Sequence, residues 1–179
     1  MLVSFTGAQS SGKTTLLREC KHIYENEYTF VDEITRKINQ KGLPINEQGS
    51  DVVQLQILQS HIENAKLKNA FLDRCIVDGF IYTKYLYESG TVSRSVYDYS
   101  RYLHGILMPK YDKIFYTSHV GVPLEADGVR SANRAFRDAI IQLYREYMAV
   151  HDMSKFVILE GSVIDRLKTI TSIVPHDPV

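Results

Sequence analysis

Leu2-Val3-Ser4-Phe5-Thr6-Gly7-Ala8-Gln9-Ser10-Ser11-Gly12-Lys13-Thr14-Thr15-Leu16-Leu17 is the stretch that decides the fold: a strand-length apolar run, a loop bounded by glycines, and the start of a helix. Its central eight residues have the form G-x-x-x-x-G-K-[ST]. The glycines let consecutive backbone N–H groups turn inward around an anion, and the helix that follows presents its N-terminus to the same point. Gly7, Ala8, Gln9, Ser10, Ser11, Gly12, Lys13, Thr14 and Thr15 are therefore the candidate phosphate-binding residues. Lys13 adds a point charge at the β- and γ-phosphates, and the Thr14 hydroxyl is the expected ligand of Mg²⁺.

Working outward from this stretch, short β-rich runs alternate with longer helical patterns. The runs are Leu2 to Thr6, Thr29 to Val31, Ile76 to Val77, Ile114 to Thr117 and Phe156 to Leu159. Such alternation predicts an α/β fold of the P-loop NTPase kind: about five parallel strands, buried on both faces by helices. Helices are expected over Lys13 to Tyr24, Phe80 to Tyr87, Ser95 to Met108, Asn133 to Val150 and Val163 to Ile173. A long amphipathic helix is expected over Asp51 to Phe71, with Leu55, Leu58, Ile62 and Ala65 facing the core and Gln54, Gln56, Gln59 and His61 on its other faces. Gly121, Pro123 and Gly128 among polar residues make 119–137 the candidate lid, with its loop portion from His119 to Ser131.

The chain of 179 residues has 44% hydrophobic and 23% charged residues with no linker-like tract, which predicts one domain over 1–179. Lys plus Arg and Asp plus Glu balance at 21 each, so the molecule as a whole has no field that draws a polyanion. A nucleic-acid partner requires a local basic patch. Cys20 and Cys75 match no zinc or redox spacing and read as reduced core residues, which points to the cytoplasm. Met1 to Phe5 lacks a basic leader segment, and no stretch approaches the ~18 apolar residues of a membrane span. The histidines have no metal-ligand spacing, and each alone reads as structural or exposed.

The phosphate loop by itself fits kinases, GTPases, motors and transporter ATPases. Thr117-Ser118-His119 stands where a guanine-reading Asn-Lys-x-Asp would follow the fourth strand. No LSGGQ-like signature occurs, nor the extra helical domain of an AAA+ motor. A kinase for a small acceptor, using ATP and Mg²⁺, remains. Asp78, read as the end of the third strand, is the candidate to take the acceptor's proton or hold Mg²⁺; the alternative is a helix cap. Arg130 and Arg134, in and after the lid, are candidates for binding the transferring phosphoryl group, whereas Arg137 reads as a helix-surface charge.

The phosphate loop, Glu33-Ile34-Thr35-Arg36, Ile76-Val77-Asp78-Gly79 and Val122-Pro123-Leu124-Glu125-Ala126-Asp127-Gly128-Val129-Arg130-Ser131 together resemble the ribosylnicotinamide-kinase domain of the bifunctional NAD-biosynthesis regulator. They are also similar to phage-encoded P-loop kinases that phosphorylate 5-hydroxymethyl-deoxyuridine within DNA. The resemblance runs from Met1 to about Ile170. It implies catalysis by Lys13, Asp78 and Arg130, with Thr14 and Asp78 at the metal, and a nucleoside-type acceptor held by Glu33, Arg36 and Arg134. Glu33 and Arg36 also have the spacing of a solvated i,i+3 ion pair. The acceptor expected first is 5-hydroxymethyl-deoxyuridine in phage DNA, because tyrosines crowd residues 82–102 and no second acid follows Asp78. Lys84, Arg94, Arg101 and Arg134 would have to form the DNA-facing patch. A free nucleoside such as ribosylnicotinamide comes second, and a regulatory ATPase switch is the rival from another class.

Overall fold

The computed structural model describes residues 1–40, 42–120 and 133–176, with the backbone alone for Arg36. Among these residues the order is β1 (Leu2–Thr6), α1 (Lys13–Tyr24), β2 (Thr29–Val31), α2 (Ile34–Gln40), α3 (Asp51–Asn64), β3 (Ala70–Asp73), α4 (Ile76–Glu88), α5 (Arg94–Leu107), β4 (Lys113–Thr117), α6 (Arg134–Val150), β5 (Phe156–Leu159) and α7 (Val163–Ile173). The five strands form one parallel sheet in the order β2-β3-β1-β4-β5. The expected α/β P-loop NTPase fold is therefore the fold observed.

The sheet separates two apolar layers, and the period of 2 along each strand assigns its side chains to them. Leu2, Ala70, Leu72 and Ile114 pack under α3, α4, α5 and α6. Val3, Phe5, Phe71 and Phe115 pack under α1 and α7, where Phe5 lies between Phe71 and Phe115 at ring separations of 6.1 and 5.8 Å. Every residue of β1 and β3 is buried, as central parallel strands require.

Two expectations need correction. The long helix expected over Asp51 to Phe71 stops at Asn64, and Ala70–Asp73 is the third strand. Asn69 takes a left-handed φ of 49°, which breaks the helical path, and its carbonyl accepts from Thr29 N as β2 and β3 meet. Ile76 and Val77, read as that strand, form the first turn of α4 instead. Cys75 is the N-cap of this helix, and Asp78 at its third position accepts from the Cys75 backbone N–H (3.0 Å). The β-branched pair is wholly buried there, so packing outweighs its strand propensity.

In α3 the buried face holds Val53, Gln54, Leu58 and His61, whereas Leu55, expected in the core, is exposed. No helix among the described residues is long and apolar enough to cross a membrane. The loop portion of the candidate lid, including Gly121, Pro123, Gly128 and Arg130, falls largely outside the described residues.

Candidate active site

Parallel pairing brings the carboxyl ends of β1, β3 and β4 to one edge: Phe5 lies opposite Asp73, and Thr6 opposite Tyr116. The phosphate loop leaves β1 at that edge. Gly7 has a φ of 138°, and a Cβ there would sit 2.9 Å from both the carbonyl oxygen and the hydroxyl of Thr117. Only glycine fits.

Cations engage the loop's carbonyl groups. Lys13 Nζ donates to Gly7 O (2.8 Å) and Ala8 O (2.7 Å), Arg137 Nη2 to Ser10 O (3.4 Å), and Arg166 Nη1 to Ser11 O (2.9 Å). Arg166 also donates to Ser118 O (3.0 Å) and Gly161 O (3.1 Å), so one guanidinium ties the loop to the ends of β4 and β5. Arg137, read from sequence as a surface charge, is buried against the loop. In α3, α5, α6 and α7 the N-cap side chain accepts from the first turn; α1 begins at Gly12, with no side-chain cap and no acid in its first turn. No capping side chain or acid of its own competes with an external anion at this helix start.

Beside the loop stands a buried cluster of two cations, Lys13 and Arg74, and three carboxylates, Glu33, Asp73 and Asp78. Asp73 ends β3, and its Oδ2 accepts from the Thr14 hydroxyl (2.6 Å), while Oδ1 is buried with no hydrogen-bond partner. Thr14 and Asp73 are a hard-oxygen pair of the kind that holds Mg²⁺ in phosphate-loop proteins, and an orphaned carboxylate oxygen fits that use. Burial, with the nearby Glu33 charge, pushes the Asp73 carboxyl up. Among the described residues no cluster of three or more His, Cys, Asp or Glu makes a self-sufficient metal site.

Asp78, expected at the metal, is differently engaged. Its Oδ2 accepts from Thr6 Oγ1 (2.7 Å) and Cys75 N (3.0 Å), and its Oδ1 from Arg74 Nη1 (2.9 Å) and Tyr144 Oη (2.9 Å). Arg74 holds a left-handed φ of 85°, a conformation that costs a non-glycine residue roughly 1–2 kcal/mol. The turn places its guanidinium between Asp78 and Glu33 and 4.8 Å from the centre of the Tyr82 ring. Glu33, two residues beyond β2, pairs with Arg74 across 41 positions of sequence. Burial pushes the Glu33 carboxyl up, but the charges of Arg74 and Lys13 outweigh it and hold it at about 2. Burial and the Arg74 charge bring Lys13 down to about 8, against the pull of Asp78, Asp73 and Glu33.

A cavity of about 30 Å³ opens on this cluster, lined by Glu33, Arg74, Asp78, Tyr82, Gln54 and His61 among others. That volume holds about two waters. Of the tyrosines crowding residues 82–102, Tyr82 reaches the cavity, Tyr87 and Tyr97 stack on each other at 4.8 Å, and Tyr99 and Tyr102 are exposed. Arg134 is exposed at the first position of α6. Asp73, Arg74, Arg166 and His61 were missed from the sequence; Asp73-Arg74 after an apolar triplet was the available signal for the first two.

The model of a family described as an AAA domain matches residues 2–166. The chain belongs to this AAA-domain family. Among solved structures, this AAA-domain chain is similar to the NadR protein in complex with NR, with a TM-score of 0.66 and 15% identity over 98% of this chain. The chain spans about half, 52%, of the NadR chain. It is also similar to deoxyadenosine kinase from M. mycoides (TM-score 0.65, 15% identity, 96% of this chain and 97% of that one). Thymidylate kinase from Candida albicans gives a TM-score of 0.65 at 16% identity, over 96% and 89% of the two chains. These are likenesses of fold, and they bear out the resemblance to P-loop kinases. No curated protein matches the chain in sequence.

Proposed function

We propose that the chain is an ATP-dependent kinase that transfers the γ-phosphoryl group to a hydroxyl of a nucleoside-type acceptor. The observation that carries this reading is the buried cavity next to the phosphate loop, walled by the ionised Glu33, Arg74 and Tyr82. A carboxylate in that wall suits a hydroxyl-bearing acceptor, which it can orient by accepting its hydrogen bond. The fold shared with NadR, deoxyadenosine kinase and thymidylate kinase supports the same class.

In this reading the N–H groups of the loop after Gly7, whose own N–H donates to Tyr144 Oη (3.2 Å), and the α1 N-terminus bind the β-phosphate. Lys13 leaves its own loop carbonyls for the β- and γ-oxygens. Thr14 and Asp73 hold Mg²⁺, which when bound neutralises charge on the phosphate oxygens. The acceptor hydroxyl attacks phosphorus, the bond from phosphorus to the bridging β,γ-oxygen breaks, and ADP leaves. The transition state is loose, so a weak base suffices, and Glu33 orients the hydroxyl and takes its proton. Asp78, with each oxygen doubly engaged, holds Arg74 and the start of α4 in position. Arg130, from the candidate lid, is the proposed second cation on the transferring group.

For the acceptor, the geometry favours a free nucleoside or nucleotide over a base within DNA. Lys84 is paired with Glu88 and Glu146, Arg94 and Arg101 share Asp98, and Arg134 is exposed, so the four cations expected to track a DNA backbone meet three carboxylates and keep little net charge to draw a polyanion. The test offers labelled ATP with DNA containing 5-hydroxymethyluracil, the same DNA with thymine, and free nucleosides including nicotinamide riboside. Label on a free nucleoside is the expected result. Label on the modified DNA alone restores the DNA acceptor, and free phosphate with no labelled acceptor favours the nucleotide switch, which the AAA-domain match also suits.

A further inference from the structure

His61 stands on α3, is 2% exposed, and lines the cavity together with Glu33, Arg74 and Asp78. Neither ring nitrogen has a hydrogen-bond partner. A buried polar atom left in that state costs about 1–3 kcal/mol, and the ring carries two of them. An apolar residue of similar size would avoid that cost, so packing alone does not account for a histidine here.

The neighbouring helix makes room for the ring. Gly79 is in the first turns of α4, where glycine is about 1 kcal/mol worse than alanine. A Cβ at Gly79 would lie 2.8 Å from His61 Cδ2, 3.2 Å from Nε2 and 3.3 Å from Leu58 Cδ2. The glycine therefore gives the imidazole a fitted seat. Burial, reinforced by the Arg74 charge against the pull of Asp78 and Glu33, holds the ring at about 4, so at neutral pH it is an uncharged imidazole with one donor and one acceptor. Gln54, two turns earlier on α3 and buried in the same wall, brings its amide to 3.1 Å from Thr83 Oγ1, whose single proton has a nearer acceptor in Gly79 O (2.6 Å).

We propose that His61 is the residue that reads the acceptor's base, one ring nitrogen accepting a hydrogen bond from a base N–H of the kind that uracil-type and other amide-bearing bases offer. This rests on the kinase reading above and names the acceptor's recognition group. Arg74, the cation in the same wall, is already paired with Glu33 and Asp78, so the cavity offers a phosphate or sulfate no unmatched positive charge and suits an uncharged heterocycle. Its binding requires the wall to yield, because a cavity for a drug-sized ligand is about 300–1,000 Å³.

The experiment uses the full chain, unmodified and as His61→Phe, which keeps a flat ring and removes both nitrogens. The acceptors are 2′-deoxyuridine, its N3-methyl derivative, 5-hydroxymethyl-2′-deoxyuridine and nicotinamide riboside. The expected result is an acceptor KM raised at least about tenfold in His61→Phe, an ATP KM within about twofold, and a melting temperature equal or higher. N3-methylation should cost the unmodified chain a similar factor and the variant little. In parallel, the ¹⁵N and ¹H signals of the His61 ring in the unmodified chain should move on titration with the accepted nucleoside, a readout that needs no folded variant. Turnover of an acceptor with an unchanged KM in the variant, or with ring signals that stay put, overturns the role of His61 alone. No phosphorylation of any acceptor by the unmodified chain, with unmoved ring signals, overturns the kinase reading and this inference together.

Discussion

Nucleotide binding should be coupled to proton uptake at Lys13. In the free protein the ammonium is wholly buried, rests on its own loop's carbonyl groups and is brought down to about 8. A triphosphate placed against it returns its affinity for a proton to the ordinary lysine range. Binding a non-hydrolysable Mg·ATP analogue should then take up about a quarter of a proton at pH 7.5, about half at pH 8 and about nine-tenths at pH 9. Above pH 8 each further unit should weaken binding by about 1.4 kcal/mol, or tenfold. The free protein should respond in the opposite sense. Because the folded lysine gives up its proton before the unfolded one, the unfolded chain binds more protons from about pH 8 to about pH 10.5, and this group's contribution to stability rises over that window by up to about 3 kcal/mol. Isothermal titration calorimetry in two buffers of different ionisation enthalpy measures the uptake, with Lys13→Met as the reference, its weaker binding read at higher ligand concentration. No uptake by the unmodified chain at pH 8, or equal uptake by Lys13→Met, would refute the assignment of Lys13 to the phosphates.

Asp73→Asn should keep the fold while lowering phosphoryl transfer about a hundredfold or more and raising the Mg²⁺ concentration needed for half-maximal rate; normal Mg²⁺ dependence would remove Asp73 from the metal. For Asp78→Asn the larger effect should be on stability, about 1–3 kcal/mol in urea unfolding, because Arg74 keeps Glu33 but loses one of its two buried charges, and Thr6, Cys75 N and Tyr144 lose a charged acceptor. A variant as stable as the unmodified chain but inactive would instead give Asp78 a direct part in the chemistry. Gly7→Ala, which brings a Cβ to 2.9 Å from Thr117 at a φ of 138°, should abolish analogue binding and cost about 1–3 kcal/mol of stability, both read from thermal melts with and without the analogue.

What could be read from the sequence was what short-range chemistry dictates. Strand β1 and helix α7 have the expected limits because an apolar run abutting a glycine loop and a Ser162–Asp165 capping box are local signals. Strand β3 was hidden because Lys66 to Asn69 contains neither glycine nor proline, so the helical pattern of α3 seemed to run on into Ala70-Phe71-Leu72. That slip moved the strand end to Asp78 and passed over Asp73 and Arg74, whose importance lies in a partner 41 residues away and in a left-handed backbone that no residue type announces. The place of the glycine loop between β1 and α1 was legible, but not the arginines that brace it, since Arg137 and Arg166 fit the polar positions of amphipathic helices. His61 was indistinguishable from a surface residue until the buried face of α3 proved to be turned away from Leu55.

The brace that Arg166 makes from α7 to Ser11 also sets an order of events during synthesis. The strand that leaves the ribosome first is the middle of the sheet, with neighbours that arrive about seventy and one hundred and ten positions later. Its loop acquires the last of its anchors only when residue 166 has emerged. A nascent chain ending near Gly161 would carry the whole glycine motif and still lack a rigid cradle. Competence for nucleotide should therefore appear late and abruptly as the chain lengthens, and truncated chains of graded length released from the ribosome, probed with an immobilised ATP analogue, would show the step between chain ends at residues 161 and 176.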